Sequence, residues 1–482
     1  MYKLSKYNFV IEINPDSYLV YNALSNSLYE TKNLYIIKLL QVETDSILMP
    51  ENWQNNLLKE EIIELISGNY IIASNIQELE ILKKRREFYL SYLSSINELS
   101  FTIGVTNQCN MACSYCYEGK KPSSGYFTEK SANDLLTIIR REIQSPSYIK
   151  KVKKLTIFWF GGEPLMKIDI IERFSSEVIK ICDKYGIEYK SEITTNGVLL
   201  DENAIRVFEK YKVTTIQVTL DGDRTMHNRK RPLLYDNGNG SFDNIINNLK
   251  LVPENIRVVI RVNCDKQVVK SLHNLLTELE KNELWPQKAR QFSLSLAAKR
   301  ISSKNKYYLS SFEFFEASRQ FTEMKLTMYN KWAKENGLSL AKRKFVFPNS
   351  SKFLCLNYHN PFALVINQNG DISNCMEYLN SSKYQLCNIS EGLLNLKQLD
   401  KFTNMLNYDI IELNPKCQDC KFLPICDKMN CSIRHSYYKG EECTHWKYHL
   451  ENILKSQYEL SVESPSEIQP ISEINLEPLP FC

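Results

Sequence analysis

Thr106-Asn107-Gln108-Cys109-Asn110-Met111-Ala112-Cys113-Ser114-Tyr115-Cys116-Tyr117 places Cys109, Cys113 and Cys116 in a C-x3-C-x2-C spacing, directly after the apolar run Ser100 to Thr106. Three thiolates on one short loop hold three irons of a [4Fe–4S] cluster and leave the fourth iron open to a small chelating molecule. A structural zinc site wants four ligands. The plain alternative is a loop of buried thiols, but Cys is otherwise scarce in this half of the chain.

Outward from this loop, the stretch from about 98 to 300 repeats a strand followed by a longer helical pattern. Six candidate strands are Ser100 to Thr106, Lys154 to Phe160, Ser191 to Thr195, Thr214 to Leu220, Asn255 to Asn263 and Gln291 to Ala297. Near-continuous apolar runs alternating with helices predict buried parallel strands with outer helices. The second strand ends in Gly161-Gly162-Glu163-Pro164, where adjacent glycines permit close backbone approach and a carboxylate is set to accept hydrogen bonds. The third runs into Thr195-Asn196-Gly197 and the fourth into Asp221-Gly222, residues that bind polar ligands but also form ordinary turns.

The cysteine triplet with Tyr115 before its last Cys, followed by Gly161 to Pro164 after the second strand, resembles the radical S-adenosylmethionine (radical SAM) enzymes. The resemblance implies a partial (β/α)6 barrel of the TIM type and a cluster whose open iron is chelated by SAM, which an electron then splits to a 5′-deoxyadenosyl radical. It assigns the SAM cluster to Cys109, Cys113 and Cys116, and SAM contacts to Gly161, Gly162, Glu163, Pro164, Thr195, Asn196 and Arg261. Leu220-Asp221-Gly222 through His227, Asn228 and Arg231 is similar to an LDG…H-D-x-x-R region of the peptide-modifying members, with Asn228 where Asp is common. Arg231 either neutralises a ligand carboxylate or belongs to a solvated charge run.

Towards the C-terminus come Cys355, then Gly370-Asp371-Ile372-Ser373-Asn374-Cys375, then Cys417-x2-Cys420-x5-Cys426-x4-Cys431, and Cys443. The layout is similar to the SPASM domain, which implies two auxiliary [4Fe–4S] clusters and about three in all. By this resemblance Cys417, Cys420, Cys426 and Cys443 ligate one; Cys355, Cys375 and Cys431 supply three ligands to the other, with Cys387 a candidate fourth. The family has three residues between its fifth and sixth Cys, whereas this chain has four, Asp427 to Asn430. A zinc ribbon is the alternative for this segment, and with it a non-catalytic peptide-binding protein.

Residues 1 to 97 lack Cys and read as a strand pair, Tyr7 to Ile13 and Ser17 to Tyr21. Helical patterns follow at Leu34 to Leu40, Leu57 to Ile66 and Ile76 to Leu93, with a short apolar stretch at Tyr70 to Ile72. This order is similar to the winged-helix-type peptide-recognition element of ribosomal-peptide maturases; a structural cap is the alternative. The expected organisation is a leader-binding unit at 1–97, a radical SAM core at 98–300, a helical bridge at 301–345, a SPASM domain at 346–450 and a C-terminal tail at 451–482, whose Pro/Glu/Ser-rich end at 459–482 is expected to be mobile.

The chain has 482 residues, Lys+Arg 60 against Asp+Glu 56, net charge +4, so its overall field demands neither nucleic acid nor an anionic membrane. No apolar run reaches membrane-spanning length, and the start has no signal-peptide core; the expectation is a cytoplasmic protein with fourteen cysteines serving metal rather than disulfides. The expected activity is radical maturation of a precursor peptide through a thioether or carbon–carbon link, fed by an external reductant such as a flavodoxin or ferredoxin. The runner-up is an anaerobic sulfatase-maturating, formylglycine-forming enzyme. That family commonly places an Asp base directly after the G-x4-C cysteine; here Met376 stands there, with Glu377 next as a weak catalytic candidate.

Overall fold

The computed structural model describes residues 2–41, 56–95, 97–116, 125–144, 152–235, 240–298, 307–344, 347–356, 358–360, 362–392, 411–431, 443–463 and 468–469, with the single residues 400, 404 and 409. Two compact units divide the chain: one from 1–90, 339–355 and 409–482, the other from 91–338 and 356–408.

The first unit opens with β1 (Tyr2–Leu4), β2 (Asn8–Asn14), β3 (Ser17–Asn22) and β4 (Ser27–Thr31), followed by α1 (Leu34–Leu40), α2 (Asn56–Ser67), β5 (Ile71–Ala73) and α3 (Glu78–Ser94). β2, β3 and β4 form an antiparallel meander, and β1 pairs with β5. Val20, Ile36, Ile37, Leu40, Ile62, Leu65 and Ile71 close its core, each apolar side chain contributing about 1.5–3 kcal/mol on burial.

The second unit is built on parallel strands. β6 (Glu98–Thr106), α4 (Glu129–Gln144), β7 (Lys154–Gly161), α5 (Ile168–Tyr185), β8 (Glu188–Thr195), α6 (Glu202–Lys210) and β9 (Val213–Thr219) lead into α7 (Arg224–Lys230) and α8 (Phe242–Lys250). β10 (Arg257–Cys264), α9 (Leu272–Lys281), β11 (Phe292–Ala298) and α10 (Ser311–Glu335) complete the series. β6 to β11 lie side by side in sequence order, all parallel, as a strand–helix–strand chain folds when every crossover has the same hand. Their loops after β6, β7, β8 and β9 therefore meet at one end. The helices cover the sheet by apolar stripes; α5 buries Ile170, Phe174, Val178 and Ile181, four residues or one turn apart, with Cys182 beside them as a small core side chain.

The expected domain boundaries are redrawn in the Cys-rich half. After β12 (Arg343–Lys344), β13 (Ala363–Ile366) adds to the free edge of β6 in parallel, and β14 (Asp371–Ser373) and β15 (Cys387–Asn388) extend the same sheet. Segment 356–408 thus joins the parallel-sheet unit, because an unpaired β6 edge offers backbone hydrogen bonds to it. The remainder, with α11 (Pro415–Gln418) and α12 (Trp446–Glu463), folds with the N-terminal strands: Phe9 packs on Phe422 with ring centroids 4.9 Å apart, and Lys6 Nζ donates to the Gln418 carbonyl at 2.9 Å. The expected mobile tail is in part helix, since α12 runs to Glu463 and buries Leu450, Ile453 and Leu454; β16 (Ile468–Gln469) then pairs with β12. Among the described residues no helix is long and apolar enough to cross a membrane.

Candidate active site

The Cys loop leaves β6 at its C-terminal end and is held from two sides. Loop 230–234 runs antiparallel to it: Ala112 N–H donates to the Pro232 carbonyl at 2.8 Å, Ser114 N–H to Lys230 at 3.2 Å, and Leu234 N–H to Asn110 at 2.9 Å. From the other side the end of β7 presses in. A Cβ on Gly162 would stand 2.2 Å from the Gln108 carbonyl, and Gly161, at φ +119°, would put one 2.4 Å from that of Thr106, so both positions exclude a side chain.

Glu163 is fully buried, and each carboxylate oxygen is engaged. Oε1 accepts from Thr195 Oγ1 at 2.7 Å and from Leu165 N–H at 3.0 Å; Oε2 accepts from Asn196 N–H at 2.7 Å. Burial raises its carboxyl above the ordinary range, and these donors oppose the rise. Pro164 begins the short 3-10 turn whose Leu165 N–H donates to the Glu163 carboxylate. Asn196 then reaches the Cys loop: its Nδ2 donates to Asn110 Oδ1 at 2.7 Å and lies 3.8 Å from Cys109 Sγ.

A second cluster gathers on Tyr115. Its hydroxyl donates to Asp221 Oδ2 and accepts from Arg231 Nη1 at 2.8 Å and Asn263 Nδ2 at 3.2 Å. Asp221 Oδ1 accepts from Asn263 N–H at 2.8 Å, and Arg261 Nε donates to Asn263 Oδ1 at 3.1 Å, so Arg261 reaches the cluster loop through Asn263. Arg231 is therefore buried rather than part of a solvated run; burial works against its charge, and Tyr115, Cys113 and Asp221 more than offset it. Asn228 takes the Ser241 and Phe242 N–H groups at 3.0 Å each, an acceptor's task at the start of α8. Asn110, Ser241 and the 230–234 backbone were not legible as site residues, since no residue-type pattern marks a loop that contributes mainly carbonyls.

Cys109 and Cys113 are part-buried and Cys116 exposed. Burial pushes the Cys109 thiol up to about 11, with Glu163 and the other two cysteines adding to the rise. Such thiols ionise only against a compensating cation, and three soft sulfur donors on one loop suit iron. The residues present fit a [4Fe–4S] cluster with one iron left to a non-protein ligand.

Residues 103–268 match the model of the Radical SAM superfamily. The chain carries a radical SAM domain. A relative is the radical SAM cyclopropyl synthase TigE of Paramaledivibacter caminithermalis, 26% identical over 273 residues, 52% of this chain and 54% of that protein. Another is a serine-type anaerobic sulfatase-maturating enzyme of Bacteroides thetaiotaomicron, 22% identical over 66% of this chain and 79% of its own length. The chain spans about a third to a half of the length of the first curated relatives it matches. In fold the chain is similar to anSMEcpe with bound AdoMet, at TM-score 0.55 and 14% identity, covering 75% of this chain and 100% of that one. The radical SAM family uses a [4Fe–4S] cluster and SAM.

The C-terminal cysteines fall in both units. In the first, a thiolate on Cys420 or Cys443 raises the Cys417 thiol further after burial has raised it, and Asp427 and Cys417 add to the burial that lifts Cys426 to about 12, so Cys420, Cys426 and Cys443 lie within electrostatic reach of Cys417. The extra residue before Cys431 lies in the 3-10 turn Asp427–Asn430, where Asn430 Oδ1 accepts from Ser351 Oγ, Lys352 N–H and Phe353 N–H at 2.8 to 3.1 Å. That clamp ties the segment leading to Cys355 to the residue before Cys431. Cys375 belongs to the other unit, at the start of the turn Met376–Tyr378, where Glu377 is exposed. Cys387 lies buried in the sheet core on β15, its thiol raised to about 11 by that burial. Among the described residues no three His, Cys, Asp or Glu side chains are arranged to hold a single metal ion.

Proposed function

We propose that this chain is a radical SAM peptide maturase that oxidatively modifies a ribosomally made precursor. The observation that carries the reading is the thiol loop Cys109 to Cys116, pinned between the Gly161–Gly162 approach and loop 230–234 at the strand ends. Cys109, Cys113 and Cys116 hold the cluster; with SAM bound, the pair supplies a radical that removes hydrogen from a peptide carbon. Glu163 positions the ends of β7 and β8, Asn196 steadies Cys109, and Tyr115 with Asp221, Asn263 and Arg231 holds the loop's last turn. Of the residues assigned to SAM, the part-exposed Gly161, Gly162 and Arg261 face it, backed by the buried Glu163, Pro164, Thr195 and Asn196.

A carbon–carbon link stands ahead of a thioether, because one relative is named a cyclopropyl synthase. Sulfatase maturation is weaker here: Met376 follows Cys375, its thioether accepts from Thr102 Oγ1 at 3.6 Å, and thioether sulfur cannot serve as the base. Peptide as substrate is supported by a similarly folded protein solved with a bound peptide, anSMEcpe with Cp18Cys, at TM-score 0.52. Residues 1–97 bind the leader, Cys417, Cys420, Cys426 and Cys443 hold one auxiliary cluster, Cys355, Cys375 and Cys431 hold another with Cys387 the candidate fourth ligand, and a flavodoxin or ferredoxin in the cytoplasm supplies electrons.

Anaerobic reconstitution followed by reductant and SAM tests the reading. The protein forms 5′-deoxyadenosine, and the Cys109→Ala, Cys113→Ala, Cys116→Ala triple variant does not. Continued formation in the triple variant rejects it.

A further inference from the structure

Loop 230–234 lies antiparallel to the Cys loop in a single register: Ala112 N–H bonds to the Pro232 carbonyl, Ser114 N–H bonds to that of Lys230, and Met111 faces Leu233. That register sets Arg231 opposite Cys113, between two bonded pairs, where facing residues of an antiparallel pair stand closest. The guanidinium brackets Cys113. Nη1 donates to the Tyr115 hydroxyl at 2.8 Å, and Nη2 lies 3.9 Å from the Met111 sulfur, so its contacts are to the residues two before and two after Cys113.

Arg231 is 7% exposed, and among the described residues it makes no ion pair. Its neighbour Lys230 shows the contrast, being neutralised by Asp265 at 2.6 Å. The Asp221 carboxylate is taken up by the Tyr115 hydroxyl and by Asn263 N–H, so it meets Arg231 only through that hydroxyl. A buried cation held by a phenol and a thioether is costly unless further negative charge stands nearby. At the Cys113 sulfur the Arg231 charge outweighs that of Asp221. A [4Fe–4S] cluster on three thiolates carries negative charge that grows when it accepts an electron, and a fixed cation beside it favours the more negative state.

We infer that Arg231 is the fixed countercharge of the SAM cluster, set against Cys113 so that the cluster accepts one electron from the external reductant at a higher potential than the thiol loop alone gives. The inference rests on the assignment of that cluster to Cys109, Cys113 and Cys116, and goes beyond it. Arg231 not only steadies the loop through Tyr115 but sets how readily the cluster is reduced.

The test reads a potential and not turnover. Reconstituted wild type, Arg231→Gln, Arg231→Met and Arg231→Lys are titrated with dithionite and redox mediators in the absence of SAM. The reduced-cluster EPR signal followed is the one that the Cys109→Ala, Cys113→Ala, Cys116→Ala variant lacks. At a fixed poise the two charge-free variants are expected to show a reduced-to-oxidised ratio about tenfold lower, a midpoint about 59 mV lower for a one-electron couple. Arg231→Lys, which keeps the charge, stays within about twofold of wild type. Because Arg231→Gln retains an N–H donor for Tyr115, a fall shared with Arg231→Met follows the charge and not the hydrogen bond.

An unchanged midpoint in a loaded charge-free variant, or an equal fall in Arg231→Lys, overturns the inference. Weaker SAM binding with an unmoved midpoint gives Arg231 to the SAM carboxylate and overturns it too. Should both charge-free variants fail to hold this cluster while Arg231→Lys holds it, charge is what the cluster requires and the inference stands; loss in all three leaves Arg231 a structural clamp and rejects it. A full signal in the triple variant rejects the cluster assignment and the inference with it, whereas a signal lost there beside an unmoved midpoint in Arg231→Gln rejects the inference alone.

Discussion

The carboxylate of Glu163 accepts a 2.7 Å hydrogen bond from the hydroxyl of Thr195, joining the ends of β7 and β8 where neither residue is more than 3% exposed. With Asn196 N–H on the other oxygen, one buried acidic group organises the floor beneath Cys109. Glu163→Gln turns an amide NH2 towards donors and leaves at least one of them unpaired. Stability is expected to drop by about 1–3 kcal/mol, read by denaturant unfolding, and an unchanged midpoint would show that Glu163 does not organise this corner.

Gly162 and Gly186 make a matched pair of glycine tests. An added Cβ meets the Gln108 carbonyl at 2.2 Å in Gly162→Ala, whereas at Gly186, with φ +63°, nothing lies within 4 Å. Gly186→Ala should cost about 1–2 kcal/mol of backbone strain and keep full iron. Gly162→Ala should displace the Cys loop and lose about four iron per chain after reconstitution. Equal iron in the two variants refutes the close-packing account.

His227 is buried, accepts from Asp221 N–H through Nδ1 at 3.2 Å and faces Ser241 Oγ through Nε2 at 3.1 Å. Because Nδ1 accepts, the neutral ring carries its proton on Nε2. Burial, then the Arg231 cation, holds its pKa well below the ordinary 6.5. A depressed folded pKa gives stability that is complete above about pH 6.5 and is lost as pH falls, at up to about 1.4 kcal/mol per pH unit. Unfolding free energy measured from pH 8 to 5 should fall more steeply in the wild type than in His227→Gln; parallel curves contradict a neutral buried His227.

Leader binding by residues 1–97 is expected to protect backbone amides on an outer strand of the β2–β3–β4 meander, β2 or β4, in hydrogen exchange when precursor peptide is added. Deleting the whole segment is a poor test, since Phe9 and Lys6 pack on Phe422 and Gln418. Protection absent from both outer strands leaves the unit a structural cap.

Three clusters require about twelve iron per chain, and Cys417→Ala with Cys420→Ala should remove about four while 5′-deoxyadenosine formation persists. Stoichiometric zinc in place of that iron assigns the segment to a ribbon.

The parallel sheet was readable in the chain from its strand–helix alternation: Lys154 to Phe160 is a mostly apolar run of strand length and becomes β7, and Gln291 to Ala297, which alternates Ser with apolar residues, becomes the half-buried β11 one residue further on. The antiparallel pieces were harder. β4 has exposed and half-buried positions, and β13 to β15 are two to four residues long, too short for any periodicity. Helix α12 was missed under a Pro/Glu/Ser-rich ending, although Trp446, Leu450, Ile453 and Leu454 recur at helical spacing.

Residue type and spacing alone determined the chemistry: three thiols at C-x3-C-x2-C, glycines where the backbone closes on them, and a strand–helix alternation that brings loops after successive strands to one end. Tertiary structure alone decided which partners those residues take. Glu163 faces inward to Thr195 and Asn196, Arg231 is drawn onto Tyr115, segment 356–408 joins the sheet rather than a separate domain, and Gln368 comes to lie beside Asn107. The physical reason is that ligand type is a property of single side chains, whereas these hydrogen bonds and strand pairings join residues 32 to 263 positions apart, and such contacts are chosen by packing and by the need to satisfy every buried polar group.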